Sequence, residues 1–66
     1  MTETERKLNE DGIAVDAHGK LCEDGYYHVY ASYRGTRQLA GVGRTETVAR
    51  ANAIRSLAAD DGSGML

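Results

Sequence analysis

Four side chains in the first half of the chain, His18, Cys22, Asp24 and His28, are of the types that hold metals or attack electrophiles. Their spacing, His-x3-Cys-x5-His, lacks the paired Cys-x2-Cys or His-x3-His arrangement on which structural zinc sites are built. In extended backbone, successive side chains also point to opposite faces, which would scatter such ligands. Cys22 with either histidine is the one pairing that could make a nucleophile and base, and no third group stands ready to orient it. Solvent-facing histidines and an inert thiol are the plainer reading. The expectation is a protein with no catalytic residue, no metal site and no cofactor.

Two further groups could bind rather than react. Gly41-x-Gly43-x-Thr45 can aim backbone amides at an anion ahead of a helix, although two glycines are equally what a tight strand-to-helix turn demands. Tyr26, His28 and Tyr30, with Arg34 beyond them, recur at every second residue and so share one face of a strand. Tyr and Arg anchor protein interfaces, and aromatics with Arg also stack on nucleic-acid bases. The plainer alternative is that these rings merely cover a small sheet or pair across a homodimer.

Charge is divided along the chain. Residues 1–28 hold Glu3, Glu5, Glu10, Asp11, Asp16, Glu23 and Asp24 against Arg6, Lys7 and Lys20. Residues 29–57 hold Arg34, Arg37, Arg44, Arg50 and Arg55 against Glu46 alone, within a net charge of −2. The basic residues of that second block are all Arg, whose planar fork suits phosphate or carboxylate. Folding of the two halves onto one another would neutralise both.

The elements that must position these residues follow from pattern. Thr2 and Glu5 have the spacing of a capping box, but only Leu8 is apolar before Asp11-Gly12, so residues 1–11 are expected to be a short helical turn or a flexible acidic arm. Ile13, Val15 and Ala17 alternate as in a half-buried strand. His18-Gly19 reads as a turn with glycine at positive φ, and Lys20 to Glu23 as a short extended piece. Asp24-Gly25 is a strong hairpin signal, and Tyr26 to Tyr33 is the most strand-like stretch. Arg34-Gly35 makes the next turn, and Thr36 to Val42 the last strand. Thr45 caps a helix running to about Ala59, with Val48, Ala51, Ile54, Leu57 and Ala58 on its apolar side and Ala51 and Ala58 allowing close approach to the sheet. Tyr27, Val29, Ala31 and Tyr33 are expected to face that helix, leaving Tyr26, His28, Tyr30, Ser32 and Arg34 uncovered.

The fold class is therefore α+β: an antiparallel β-meander of three to four strands with one C-terminal α-helix packed on one face. Residues 12–61 form the single domain, and 62–66 a flexible tail. A chain of 66 residues buries little core and has scant room for an enclosed pocket, which favours a binding surface over an active site. Length leaves open an enzyme assembled from several copies. One cysteine excludes an internal disulfide, and no apolar run reaches the length of a signal core or a membrane span, so a cytoplasmic setting is expected. From its opening at Met1 the chain is expected to be a complete small product without a leader.

The run from His28 through Leu57 resembles the hairpin-plus-helix half of a double-stranded-RNA-binding domain. Gly41, Gly43 and Thr45 match that family's Gly-x-Gly-x-Ser turn, and Ala49 and Ala53 its alanine spacing. Glu46 and Thr47 stand where the family has two phosphate-gripping lysines, and its first helix is expected to be shrunken or missing here. Asp24-Gly25-Tyr26-Tyr27-His28-Val29-Tyr30 followed by the Gly-x-Gly-Arg turn is also similar to the arm-site DNA-binding domain of phage-type tyrosine integrases, whose sheet enters the major groove. In size and charge the chain is like small phage anti-CRISPR proteins, some of which present carboxylates in place of phosphates.

These readings lead to a small non-enzymatic binding protein, first a phage or mobile-element inhibitor of a nucleic-acid-handling protein complex. Glu10, Asp11, Asp16, Glu23 and Asp24 would steer or mimic nucleic acid, and Tyr26, His28 and Tyr30 would anchor. The alternative is a direct nucleic-acid-binding module using Arg34, Arg37 and Arg44 with the tyrosine face. No membrane partner is expected, and a homodimer is compatible with either.

Overall fold

The computed structural model describes residues 2–62, in the order α1 (Glu3–Glu10), β1 (Ile13–Val15), β2 (Lys20–Leu21), β3 (Tyr27–Tyr33), β4 (Thr36–Gly43) and α2 (Glu46–Gly62). It is an α+β fold: a four-stranded antiparallel sheet with both helices joined to it and α2 laid across one face. The tail expected over 62–66 lies, from residue 63 on, outside the described residues. No helix is long and apolar enough to cross a membrane among the residues described.

Strand β3 is the centre. Strand β4 pairs along its whole length, from Tyr27 opposite Gly43 to Tyr33 opposite Thr36. That leaves one free edge, which β1 and β2 share: Val15 lies opposite Ala31 and Lys20 opposite His28. Between those pairs Asp16 to Gly19 face only Val29 and Tyr30, so β1 and β2 are one edge strand interrupted by two extra residues. Gly19 does not take the expected positive φ; a Cβ there would crowd Val29 Cγ2 at 3.1 Å. The Arg34-Gly35 hairpin has both central residues at positive φ, the geometry whose twist matches the flanking strands.

A bulge between Val29 and Tyr30 decides which side of β4 meets the helix. Tyr30 pairs with Leu39, yet Val29 pairs with Gly41, so Ala40 is extra and the alternation is reset. Gly41 and Gly43 thereby face α2. A Cβ on Gly41 would lie 2.3 Å from Ala53 N, and one on Gly43 2.6 Å from Ala49 N. The helix backbone rests on strand backbone, and Ala49 and Ala53 are fully buried with Val29. This corrects the helix face expected from periodicity: Val48 is 46% exposed and Ala51 is exposed, because the closest approach takes the smallest residues rather than the largest. Val29 and Ala31 are buried as expected, Tyr27 packs beside them half-buried, and Tyr33 is left exposed.

The N-terminal segment is a packed helix rather than an arm. Thr2 Oγ1 accepts from Glu5 N at 3.2 Å, and Leu8 is 2% exposed. Glu5 does not reach back to complete a capping box. Its buried carboxylate takes the guanidinium of Arg50 on α2, whose Nε also donates to Asp16 O at 3.0 Å. One arginine thus ties α1, α2 and the interruption between β1 and β2.

Candidate functional site

Alternation along β3 and the residue that leads into it sends Tyr26, His28, Tyr30 and Ser32 to the side of the sheet away from α2. The pairings with β4 add Val42 beside His28, Leu39 beside Tyr30, and Arg37 beside Ser32. The edge strand adds Lys20 beside His28 and Ala14 beside Ser32. The result is an open surface of rings and aliphatics bordered by cations.

Two arginines lie on the rings. The Arg37 guanidinium carbon is 5.4 Å from the Tyr30 ring centre, and that of Arg44 is 5.1 Å from the Tyr26 ring centre. These are distances at which a cation is held by the ring's electron-rich face. Arg37 also crosses the central strand to Asp16, donating from Nη1 to Oδ1 at 3.1 Å and from Nη2 to Oδ2 at 2.8 Å. The paired hydrogen bonds lower the Asp16 pKa and raise that of Arg37. At the other end, Asp24 Oδ1 accepts from Tyr26 N at 2.9 Å and Oδ2 shares a 3.0 Å hydrogen bond with His28 Nε2. The Tyr26 amide first, then His28, holds the Asp24 carboxyl below its usual range.

The structure brings Tyr26, His28, Tyr30, Arg37 and Arg44 onto one surface. Arg34 is not with them: it occupies the hairpin tip, over the Tyr33 ring at 5.6 Å. Nor do the acids form a patch. Glu10 is paired with Arg6 at 2.7 Å, and Asp11 ends α1. Asp16 is taken up by Arg37, and Glu23 and Asp24 lie in the turn before β3. Glu10 and Asp11 stand near the far end of β3 from that turn, separated from it by the length of the strand. Pairing of Glu5 with Arg50 and Asp16 with Arg37 shows the two charge blocks neutralising one another in part.

The reactive side chains diverge. His18 Nδ1 lies 3.6 Å from Glu46 Oε1 near the start of α2, His28 is on the open face, and Cys22 Sγ donates to Lys20 O at 3.5 Å. Among the described residues no three of His, Cys, Asp and Glu converge as metal ligands would. At the glycine turn before α2, Thr45 Oγ1 caps Val48 N, while the Glu46 carboxylate reaches across to the interruption between β1 and β2, where Oε2 accepts from Gly19 N at 3.1 Å.

Sequence reasoning did not identify Lys20, Leu39 and Val42 as members of this surface. The two-residue hairpin would have given Leu39 by counting back from Tyr33 and Thr36. Val42 needed knowledge of the bulge. Comparison with protein-family models, curated proteins and solved structures yields no match for this chain, so the surface itself is the guide to its use.

Proposed function

We propose that this chain is a non-enzymatic binding module that takes nucleic acid on its open sheet face. The observation that carries the reading is the pair of guanidinium groups spread over Tyr30 and Tyr26 on a face that neither helix covers. A guanidinium held over a ring can still take a base on its outer side. Arg44, with no hydrogen bond to another described residue, also offers its edge N–H groups to phosphate, whereas Arg37 gives its two terminal nitrogens to Asp16. Lys20 borders the same face, paired opposite His28, whereas Arg34 stands apart at the hairpin tip. With β1 and β2 counted as one interrupted edge strand, the order of elements is like that of double-stranded-RNA-binding domains in arrangement. Glu46 and Thr47 still lack the charge that family uses at the turn, so the contact is drawn to the sheet instead. A lone cysteine fits a cytoplasmic setting.

The test is binding of labelled DNA and RNA at low and high salt. With about three or four cations engaged, the logarithm of affinity falls against the logarithm of salt with a slope of roughly −2 to −4. Arg37→Glu abolishes that binding.

A second reading keeps the open face and changes the occupant to a protein, as in a phage or mobile-element inhibitor of a nucleic-acid-handling complex. The bidentate Arg37–Asp16 pair favours it, since that fork is already satisfied and a phosphate must compete with Asp16. Mimicry by a contiguous acidic surface has less support, because Glu10 and Asp11 stand apart from Glu23 and Asp24. Absence of nucleic-acid binding even at low salt would make this the operative reading.

A further inference from the structure

His28 and Tyr30 on β3, with Tyr26 just ahead of it, set the rings of the open face in a row. Tyr26, His28 and Tyr30 are separated by two residues each, about 6.6 Å per step at the rise of a β-strand. Bases stacked in a duplex strand advance by only about 3.4 Å. A duplex also offers protein its base edges and backbone, whereas a stacking platform must meet base faces, which only unpaired nucleotides expose. The row has about twice the spacing of stacked bases, which suits a strand whose bases are splayed apart.

The surroundings of the row fit the same ligand. The guanidinium carbons of Arg37 and Arg44 stand 5.4 and 5.1 Å from the centres of the two outer rings, and a base can rest on a guanidinium plane as well as on an aromatic one. Asp16 fixes the Arg37 guanidinium by gripping both terminal nitrogens, which leaves Nε as its remaining edge donor. Lys20, paired opposite His28, sets a cation beside the middle position, where a backbone phosphate would pass. Leu39 and Val42 flank the row on the β4 side and supply apolar contact for the splayed bases.

We infer that the open face binds single-stranded nucleic acid, about three consecutive nucleotides lying along β3 over Tyr26, His28 and Tyr30, with Asp16 positioning the Arg37 guanidinium. This rests on the reading of the face as a nucleic-acid surface and specifies the class of strand.

The chain has four tyrosines and no tryptophan, so its intrinsic fluorescence is that of tyrosine, and Tyr26 and Tyr30 make it sensitive to a strand seated on the open face. The experiment titrates the full chain at low salt with oligothymidine, oligouridine and a duplex of the same length, following anisotropy of labelled strand and tyrosine emission. The expected result is quenching by the single strands and affinity at least about tenfold above the duplex. Tyr30→Leu weakens single-strand binding by about 5- to 150-fold, the range for loss of one stacked base, and Tyr30→Phe retains it. Far-UV circular dichroism identifies a variant that fails to fold, in which case wild-type quenching and the Tyr30→Phe variant decide. Duplex binding as tight as single-strand binding, still abolished by Arg37→Glu, overturns this inference and leaves the nucleic-acid surface standing. No binding of any strand at low salt overturns both.

Discussion

Replacing Gly41 by Ala adds one methyl group at the tightest contact of the fold. The new Cβ would lie 2.3 Å from Ala53 N, 2.4 Å from Ala49 O and 2.6 Å from Ala53 Cα. All three atoms belong to helix backbone, so no side-chain rotation relieves the clash. Ordinary contact distances are about 3.5–4.0 Å, so α2 must retreat by about 1 Å or more. That retreat loosens the cluster of Val29, Ala49 and Ala53, each fully buried, at the centre of the core. Overpacking of this kind costs about 1–3 kcal/mol, and backbone collision puts this case at the upper end. A chain of 66 residues has about 3–10 kcal/mol in total. At roughly 4–8 °C per kcal/mol, thermal unfolding by circular dichroism shifts down by about 10–20 °C. Gly25→Ala is the control. Nothing lies within 4 Å of its Cβ. Only the positive φ of Gly25 opposes a side chain there, a backbone cost without any collision, so its melting shift is the smaller of the two. If Gly41→Ala melts within about 3 °C of the wild type, the close seating of α2 on β4 is wrong, and with it the bulge-set parity of the open face.

Two other substitutions test particular contacts. Leu8→Ala removes the buried apolar anchor of α1 and lowers stability by about 2–3 kcal/mol in urea denaturation, whereas a flexible arm would show almost no change. Asp16→Asn flattens the acid limb of the stability profile: Asp16 has a lowered pKa, so its pairing with Arg37 contributes above the usual 3.8 and is lost as pH falls through the folded value. The effect is modest because the pair is solvent-screened, and an acid limb unchanged by Asp16→Asn would count against the pair in solution.

Much of the fold was readable where the signals are local. The parity of β3, the Arg34-Gly35 turn and the Thr45 cap follow from alternation, glycine at positive φ and a hydroxyl ahead of a helix. Those signals put Tyr26, His28 and Tyr30 on the uncovered side. What was not readable depends on distant partners. The first helix has one apolar anchor, and the Glu5–Arg50 pair that helps hold it spans 45 positions. The sheet-facing side of α2 was misread because periodicity favours Val48 and Ile54, while the bulge at Ala40 turns two glycines toward Ala49 and Ala53. Arg37 was recognisable as a cation, but its path across Tyr30 to Asp16 required the register of three strands. The acidic block shows the same limit: neighbours in sequence were separated by the length of β3.

The central claim is that the face bearing Tyr30 and Arg37 is the nucleic-acid surface, and NMR titration of isotope-labelled chain with oligonucleotide at low salt tests it most directly. The account predicts shift changes clustered at Lys20, His28, Tyr30, Arg37, Leu39 and Val42, fading as salt is raised. Unmoved spectra, or changes confined to α1 and the exposed side of α2, would contradict it.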